Sequence, residues 1–398
     1  MVRPGKGLSD LKETGFTHLM LDFGAFASVE GIEEESYRPD LMHRYYKGLL
    51  NEIDHHNMDV KVGRVPFLSP YTRRSDLSER ILRMDIDCIR ACEEIHCKNI
   101  IIQPLFSGVR SNSVWDENQN FYLELARQCQ CEDTRILLVN QFKHVNGKPV
   151  RGICSEGEET ARWIDNLNET VGTERFGFCM DTGCCNLSGQ DMQILATSLG
   201  QRLMAVVLTE NNGRDNTCMM PFSCSYERRS NTDWTGLIRG LRQCGFDGQL
   251  ILDIQDTFFA FSPFLRSHLL PLTKAVADYF VLQIELEKNL KKYSSRVLFG
   301  AGNMCRNYMK CYGEKYAPLF ICDNNEQIWN KEFCGIEVKS PEALKNLPDD
   351  CGIIVCNMYY QEVKAQLQLL GVKNIEYFSD EYMPSFYYDK FNRDVTQK

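Results

Sequence analysis

The sequence predicts an α/β chain: a closed (β/α)8 barrel, the TIM barrel, followed by a small doubly wound, Rossmann-like domain. Three observations predict this. Strand-like and helix-like segments alternate from Gly15 to Asp256. The strand-like segments are near-continuous apolar runs, as in Asn99–Phe106 (NIIIQPLF), which is what parallel strands buried on both faces require. After one long helical stretch the strand–helix alternation restarts at Arg296. Eight units within the first part of the chain suit a closed barrel better than an open sheet. The expected organisation is therefore a barrel over residues 1–262, a helical connector over 263–293, and a Rossmann-like domain with a polar tail over 294–398.

Each element has its own signal. Gly15–Phe26 (GFTHLMLDFGAF) reads as the first strand running into a loop, with Asp22 near its end. Leu41, Tyr45, Leu49 and Ile53 share one face of a helix over 41–56. Val60–Leu68 is the second strand and carries Arg64. A helix over 76–96 leads to the third strand, 99–106, which Pro104 interrupts. A helix over 119–130 precedes the fourth strand, Thr134–Gln141 (TRILLVNQ). A loop rich in glycine and basic residues follows, then a helix over 157–171. Phe176–Asp181 is the fifth strand, and a short helix over 190–199 leads to the sixth, 202–210. The seventh strand falls between Pro221 and Asn231. A helix over 234–244 and the eighth strand, Gly248–Gln255 (GQLILDIQ), complete the set. Beyond the helical stretch 263–293, strands are expected at 296–300, 319–323, 352–357 and 374–378.

Composition narrows the function classes. The chain has 398 residues and a net charge of −9, which disfavours nucleic acid as a partner. MVRPGKGLSDLKETG lacks the apolar core of a signal peptide, and no apolar run could span a bilayer, so a cytoplasmic location without membrane contact is expected. The 18 cysteines show no C-x-x-C pair and no zinc-module spacing. They read as reduced, mostly buried thiols.

The chemistry concentrates at strand ends. Asp181 closes the apolar run Phe176–Met180, and the carboxyl edge of a parallel barrel is where active sites sit. Asp181-Thr182-Gly183 also matches the aspartic-protease triplet. That reading needs a second triplet or a dimer in an all-β fold, and the alternating chain contains one copy. Arg64 and Lys143 suit a phosphate or carboxylate on a ligand. With Gln103 and His144 they form the candidate substrate-binding set.

Asp181-Thr182-Gly183, Thr209-Glu210-Asn211-Asn212-Gly213, Asp233-Trp234, and Phe246-Asp247-Gly248 with Leu252-Asp253 occur in that order. This ordered set resembles the xylose isomerase-like barrels, a superfamily of sugar and sugar-phosphate isomerases and epimerases. The resemblance implies one divalent metal, Mn²⁺ or Mg²⁺, held by Glu, Asp, His and Glu at the ends of strands four, five, six and eight. Such a metal polarises a sugar carbonyl and hydroxyl while a carboxylate moves a proton between adjacent carbons. Carried over by position, Asp181 and Asp253 keep the strand-five and strand-eight ligands, and Asn140 stands at strand four. Val207 stands at the His position, with Thr209 and Glu210 nearby, and Cys184 replaces a His that often follows Asp-Thr-Gly. The implied metal ligands are Asp181, Asp253 and Asn140. The implied catalytic carboxylates are Asp181, Asp253 and Glu210. Because two of the four ligands differ, a second function stays open: a carbohydrate- or nucleotide-sugar-binding protein on a non-catalytic barrel.

Gly300-Ala301-Gly302, a helix, and Asp323 about twenty residues on follow the dinucleotide pattern. Cys305 takes the third glycine position. The segment resembles small Rossmann-like domains of bacterial polysaccharide- and sugar-modifying proteins, and Gly300, Gly302 and Asp323 are its candidate residues for a nucleotide or NAD. A third function, an oxidoreductase or lyase using that dinucleotide, follows from it. A small carbohydrate is the expected ligand, and a homo-oligomer stays open.

Overall fold

The computed structural model describes residues 6–26, 39–67, 78–106, 114–129, 133–226, 229–230 and 232–382. The chain divides into two compact units, Met1–Asp278 and Tyr279–Lys398. Among the described residues no helix is long and apolar enough to cross a membrane, and every cysteine is a free thiol.

The first unit is built on seven parallel strands: β1 (His18–Asp22), β2 (Asp59–Arg64), β3 (Asn99–Ile101), β4 (Arg135–Val139), β7 (Phe176–Asp181), β8 (Leu203–Leu208) and β11 (Gln249–Leu252). They pair in chain order, each with the next. Helices Pro39–His55, Ser78–Glu94, Val114–Gln128, Gly157–Val171, Met192–Leu199 and Trp234–Gln243 alternate with them. Two short antiparallel hairpins leave the main sheet. One is β5 (Phe142–Val145) with β6 (Lys148–Arg151); the other is β9 (Ser225–Tyr226) with β10 (Arg229–Ser230).

The sheet curls into a nearly closed barrel. One apolar cluster takes Val62 from β2, Ile101 from β3, Leu137 and Val139 from β4, Cys179 from β7, Ala205 and Val207 from β8 and Ile251 from β11; Met20 of β1 packs against it. An open sheet cannot bring side chains from all seven strands into one cluster; a barrel interior does. Burying each large apolar side chain there contributes about 1.5–3 kcal/mol. The ladders carry the stagger that closure needs. Asp22 is level with Arg64, Ile101, Leu137 and Gly177, whereas Asp181 is level with Val207 and Ile251.

The expected seventh strand between Pro221 and Asn231 is not in this sheet among the described residues. That stretch is polar and begins at a proline, and it forms the β9–β10 hairpin instead. The third strand is also shorter than its apolar run, ending at Ile101 before Pro104.

The second unit is a six-stranded sheet of order β14-β15-β13-β12-β16-β17: β12 (Ser295–Phe299), β13 (Ile321–Cys322), β14 (Glu332–Phe333), β15 (Ile336–Lys339), β16 (Cys351–Val355) and β17 (Ile375–Tyr377). All pairs are parallel except β14 with β15. The chain winds outward from β12 to one side, then returns to build the other side, so the sheet is doubly wound. Alternation buries both faces. Leu298 and Ile354 join one apolar cluster, and Val297, Phe299, Ile353 and Val355 join another. The polar tail beyond residue 382 lies outside the described residues.

Candidate functional site

Side chains two apart on a strand share a face. The residue two positions beyond each inward-facing apolar residue therefore also faces the barrel axis. Applied to Met20, Val62, Ile101, Val139, Cys179, Val207 and Ile251, this rule selects Asp22, Arg64, Gln103, Gln141, Asp181, Thr209 and Asp253. All seven are polar. One stands at the end of each strand or within two residues beyond it, and together they form a ring on the apolar floor at the carboxyl end of the barrel.

The ring is bonded in two arcs. In the first, Arg64 donates from Nη1 to Asp253 Oδ2 at 2.6 Å, from Nη2 to Asp22 Oδ2 at 2.5 Å and from Nε to the same oxygen at 3.2 Å. Asp22 and Asp253 lie on the first and last strands of the sheet order, so this clamp ties its two edges together. The Arg64 guanidinium also lies 5.0 Å from the Phe67 ring centroid. Burial alone would lower the Arg64 pKa, but Asp253 and Asp22 outweigh it, and the group is held charged. In the second arc, Gln103 Nε2 donates to Gln141 Oε1 at 3.4 Å. Both side chains are buried, at 4% and 5% exposure. Among the described residues, Gln141 Nε2 and Thr209 Oγ1 are buried with no hydrogen-bond partner, which leaves their bonding capacity unused.

Asp181 sits between the arcs. Its Oδ1 accepts the Cys184 N–H at 2.9 Å and caps the helix Thr182–Leu187. Burial raises its pKa above the ordinary carboxylate value; the Cys184 N–H opposes the rise and the Asp253 charge adds to it. The Cys218 thiol also adjoins the ring. Burial first, then the charges of Asp253 and Asp181, push its pKa up to about 12.

The motifs around the ring hold its geometry. The Thr182 hydroxyl donates to Thr209 O at 2.7 Å and accepts the Thr209 N–H at 3.0 Å, locking the end of β7 to the end of β8. Asn211 Nδ2 donates to Gly183 O at 2.9 Å. A Cβ on Gly183 would stand 2.8 Å from Thr209 Cγ2, so this close approach requires glycine. Asp233 caps the helix Trp234–Gln243 through the Gly236 N–H, and Trp234 is buried beneath it.

Several expected site residues lie elsewhere. Asn140 faces away from the ring, one residue out of phase with it. Its Oδ1 accepts the Asp181 N–H at 2.7 Å and its Nδ2 donates to Asp181 O at 3.0 Å, so both ends of the amide are tied to the Asp181 backbone rather than turned to the ring. Glu210 is fully buried, and its carboxylate accepts the Cys224 N–H at 3.2 Å. Lys143 and His144 are exposed on the β5–β6 hairpin, with the His144 ring edge-on to Phe142. Arg64 is in the ring, but three of its donors are committed to carboxylates. Gln141 and Thr209 were missed. Their signal was period-two alternation counted from the apolar residues of each strand.

The implied divalent metal is tested by these donors. The inward positions on β4, β7, β8 and β11 are Gln141, Asp181, Thr209 and Asp253. Asp253 Oδ2 is bonded to a guanidinium, Asp181 Oδ1 caps a helix, and Gln141 Oε1 accepts from Gln103. Among the described residues no three His, Cys, Asp or Glu side chains converge on a point that could hold a metal ion. The donor set does not fit a divalent metal.

In the second unit, Gly300 opens the turn after β12 at φ +105°. Asp323 Oδ2 accepts the Ala301 N–H at 2.7 Å, and its Oδ1 accepts the Asn325 N–H at 2.8 Å. Gly302 begins the helix Asn303–Tyr312, and its Cβ position faces open space. Gly300, Gly302 and Asp323 are thus together, with the acid bonded to the turn itself.

A family model described as C2185-like, N-terminal, matches residues 292–377. No curated protein matches the chain. Among solved structures, the chain is similar to a D-tagatose 3-epimerase-like protein at 16% identity and TM-score 0.47, covering 71% of this chain and 94% of that one. It is similar to an L-ribulose 3-epimerase at 10% identity and TM-score 0.48, covering 71% and 89%. A D-psicose 3-epimerase from Clostridium cellulolyticum H10 aligns at 12% identity and TM-score 0.46, covering 70% and 92%.

Proposed function

We propose that the barrel mouth binds a small neutral carbohydrate and moves a proton on it, the isomerase or epimerase reaction that the sequence motifs imply. The observation that carries this reading is the polar ring on an apolar floor, with two buried groups, Gln141 Nε2 and Thr209 Oγ1, left to bond a ligand. A mixture of amide, hydroxyl, carboxylate and guanidinium suits a molecule with many hydroxyls, each both donor and acceptor.

In this reading Asp181 is the base. Burial raises its pKa, which makes its carboxylate a stronger base. It takes the proton from a carbon beside the sugar carbonyl; the electron pair of that C–H bond forms the carbon–carbon double bond, and the carbonyl π pair moves to oxygen, giving an enediolate. Delivering that proton to the former carbonyl carbon on the same face, while the neighbouring hydroxyl gives its proton to the oxyanion and becomes the new carbonyl, isomerises the sugar; epimerisation takes a proton from water on the opposite face, and the Asp181 proton returns to solvent. Ring donors stabilise the oxyanion, and no step passes through a metal.

The test is proton NMR of a panel of neutral pentoses and hexoses incubated with the protein in D₂O. The expected result is deuterium at one carbon beside the carbonyl of one sugar, slowed about 10²–10⁴-fold in Asp181→Asn. A second reading, sugar binding without turnover, is favoured by the helix-capping bond already made by Asp181. Saturation transfer to a sugar with no deuterium uptake would select it, and neither signal from any sugar would remove both. A nucleotide or NAD at Gly300–Gly302 has less support, since Asp323 already accepts the Ala301 N–H and sets a carboxylate where a phosphate would come.

A further inference from the structure

We infer that Arg64 is the resident cation of the barrel mouth and that this mouth takes no divalent metal. The inference concerns the same site as the proposed function, but it is read out on the protein alone and needs no sugar. Three carboxylates stand in the ring: Asp22, Asp181 and Asp253. Such a concentration of charge needs a counter-cation near it. Arg64 supplies one that is permanently charged, since a guanidinium does not deprotonate in proteins.

It is also built in. Three N–H donors of the guanidinium bond Asp22 and Asp253 at 2.5 to 3.2 Å, and the side chain is 11% exposed. A metal entering at Asp253 would meet a carboxylate whose Oδ2 already holds Nη1 at 2.6 Å, and would sit beside a like charge that cannot titrate away. The same arrangement gives the site an electrophile. The three bonds use three of the five guanidinium donors. The two that remain can hold a ligand carbonyl or hydroxyl oxygen, the role in which a metal would polarise it.

The experiment is metal binding. The full chain is loaded with Mn²⁺, Mg²⁺ or Zn²⁺, desalted, and assayed by elemental analysis, with thermal unfolding followed in each cation. The wild type is expected to retain none and to show no shift in Tm. Arg64→Met, checked for folding by circular dichroism, leaves three carboxylates without their cation. It is expected to gain a rise of about 3 °C in millimolar Mn²⁺, and Arg64→Met with Asp253→Asn is expected to lose that rise. One metal ion retained per wild-type chain overturns the inference, as does a folded Arg64→Met that responds to Mn²⁺ no more than the wild type. If Arg64→Met does not fold, the wild-type measurement decides alone. Failure here leaves sugar turnover untouched, and absence of sugar turnover leaves the metal result standing.

Discussion

The two units carry the same kind of sheet edge and use it differently. In each, parallel strands end in an aspartate beside a tight turn. In the second unit Asp323 bonds the amides of Ala301 and Asn325, its own turn and its own loop. The acid closes the edge locally. In the barrel the strand-end acids reach across the sheet: Arg64 joins Asp22 to Asp253 at opposite ends of the strand order. At the barrel edge Gln141 Nε2 and Thr209 Oγ1 have no hydrogen-bond partner among the described residues. The difference teaches that an acid at a strand end is not by itself a ligand site. What matters is whether the surrounding backbone consumes its hydrogen bonds or the curvature of the sheet gathers several such groups with capacity to spare.

The largest expected effect breaks the long-range clamp. Asp253→Ala leaves the Arg64 charge buried with one partner fewer, and should cost about 3 kcal/mol in denaturant unfolding of the barrel. A loss under about 0.5 kcal/mol would mean the clamp contributes no more than an exposed surface pair. A smaller loss follows at the local edge. Asp323→Ala removes the acceptor of two backbone N–H groups and should cost about 1–2 kcal/mol in unfolding of the second unit. An Asp323→Ala effect exceeding that of Asp253→Ala would invert the comparison.

The smallest effect is one of pH. Asp181 has a folded pKa above its unfolded value. The native state therefore binds the proton more tightly, and this group favours folding at low pH. That contribution fades as pH rises from the ordinary carboxylate value through the raised one. Asp181→Asn keeps an oxygen for the Cys184 N–H and removes the titration. Relative to wild type it should gain stability with rising pH across that window, measured as the pH dependence of the denaturation midpoint. A constant difference between the two proteins would show that Asp181 does not carry the shift.

Much of the architecture was legible because it is written in local pattern. Phe176–Asp181 reads as a buried parallel strand from composition and is one, and the restart of alternation at Arg296 marks the second sheet. The segment 221–231 misled because counting units to eight demanded a strand where the residues are polar; the described part pairs with itself. Asp181, Arg64, Gln103 and Asp253, which end apolar runs in the sequence, stand together in the polar ring. Asn140, the position to which the resemblance carries a metal ligand, is one residue out of phase with Gln141, and on a strand one position is the difference between the barrel axis and the outer face.

The sequence by itself determined where seven parallel strands of the barrel run and that their ends are rich in acids and amides, because hydrophobic periodicity and strand-end composition are properties of neighbours along the chain. Only the tertiary structure decided what those polar groups do. Whether Arg64 meets a ligand or meets Asp22 and Asp253 depends on how the sheet curls and staggers, which brings together residues nearly two hundred positions apart. Hydrogen-bonding capacity is finite, and the partners that use it up are set by the fold.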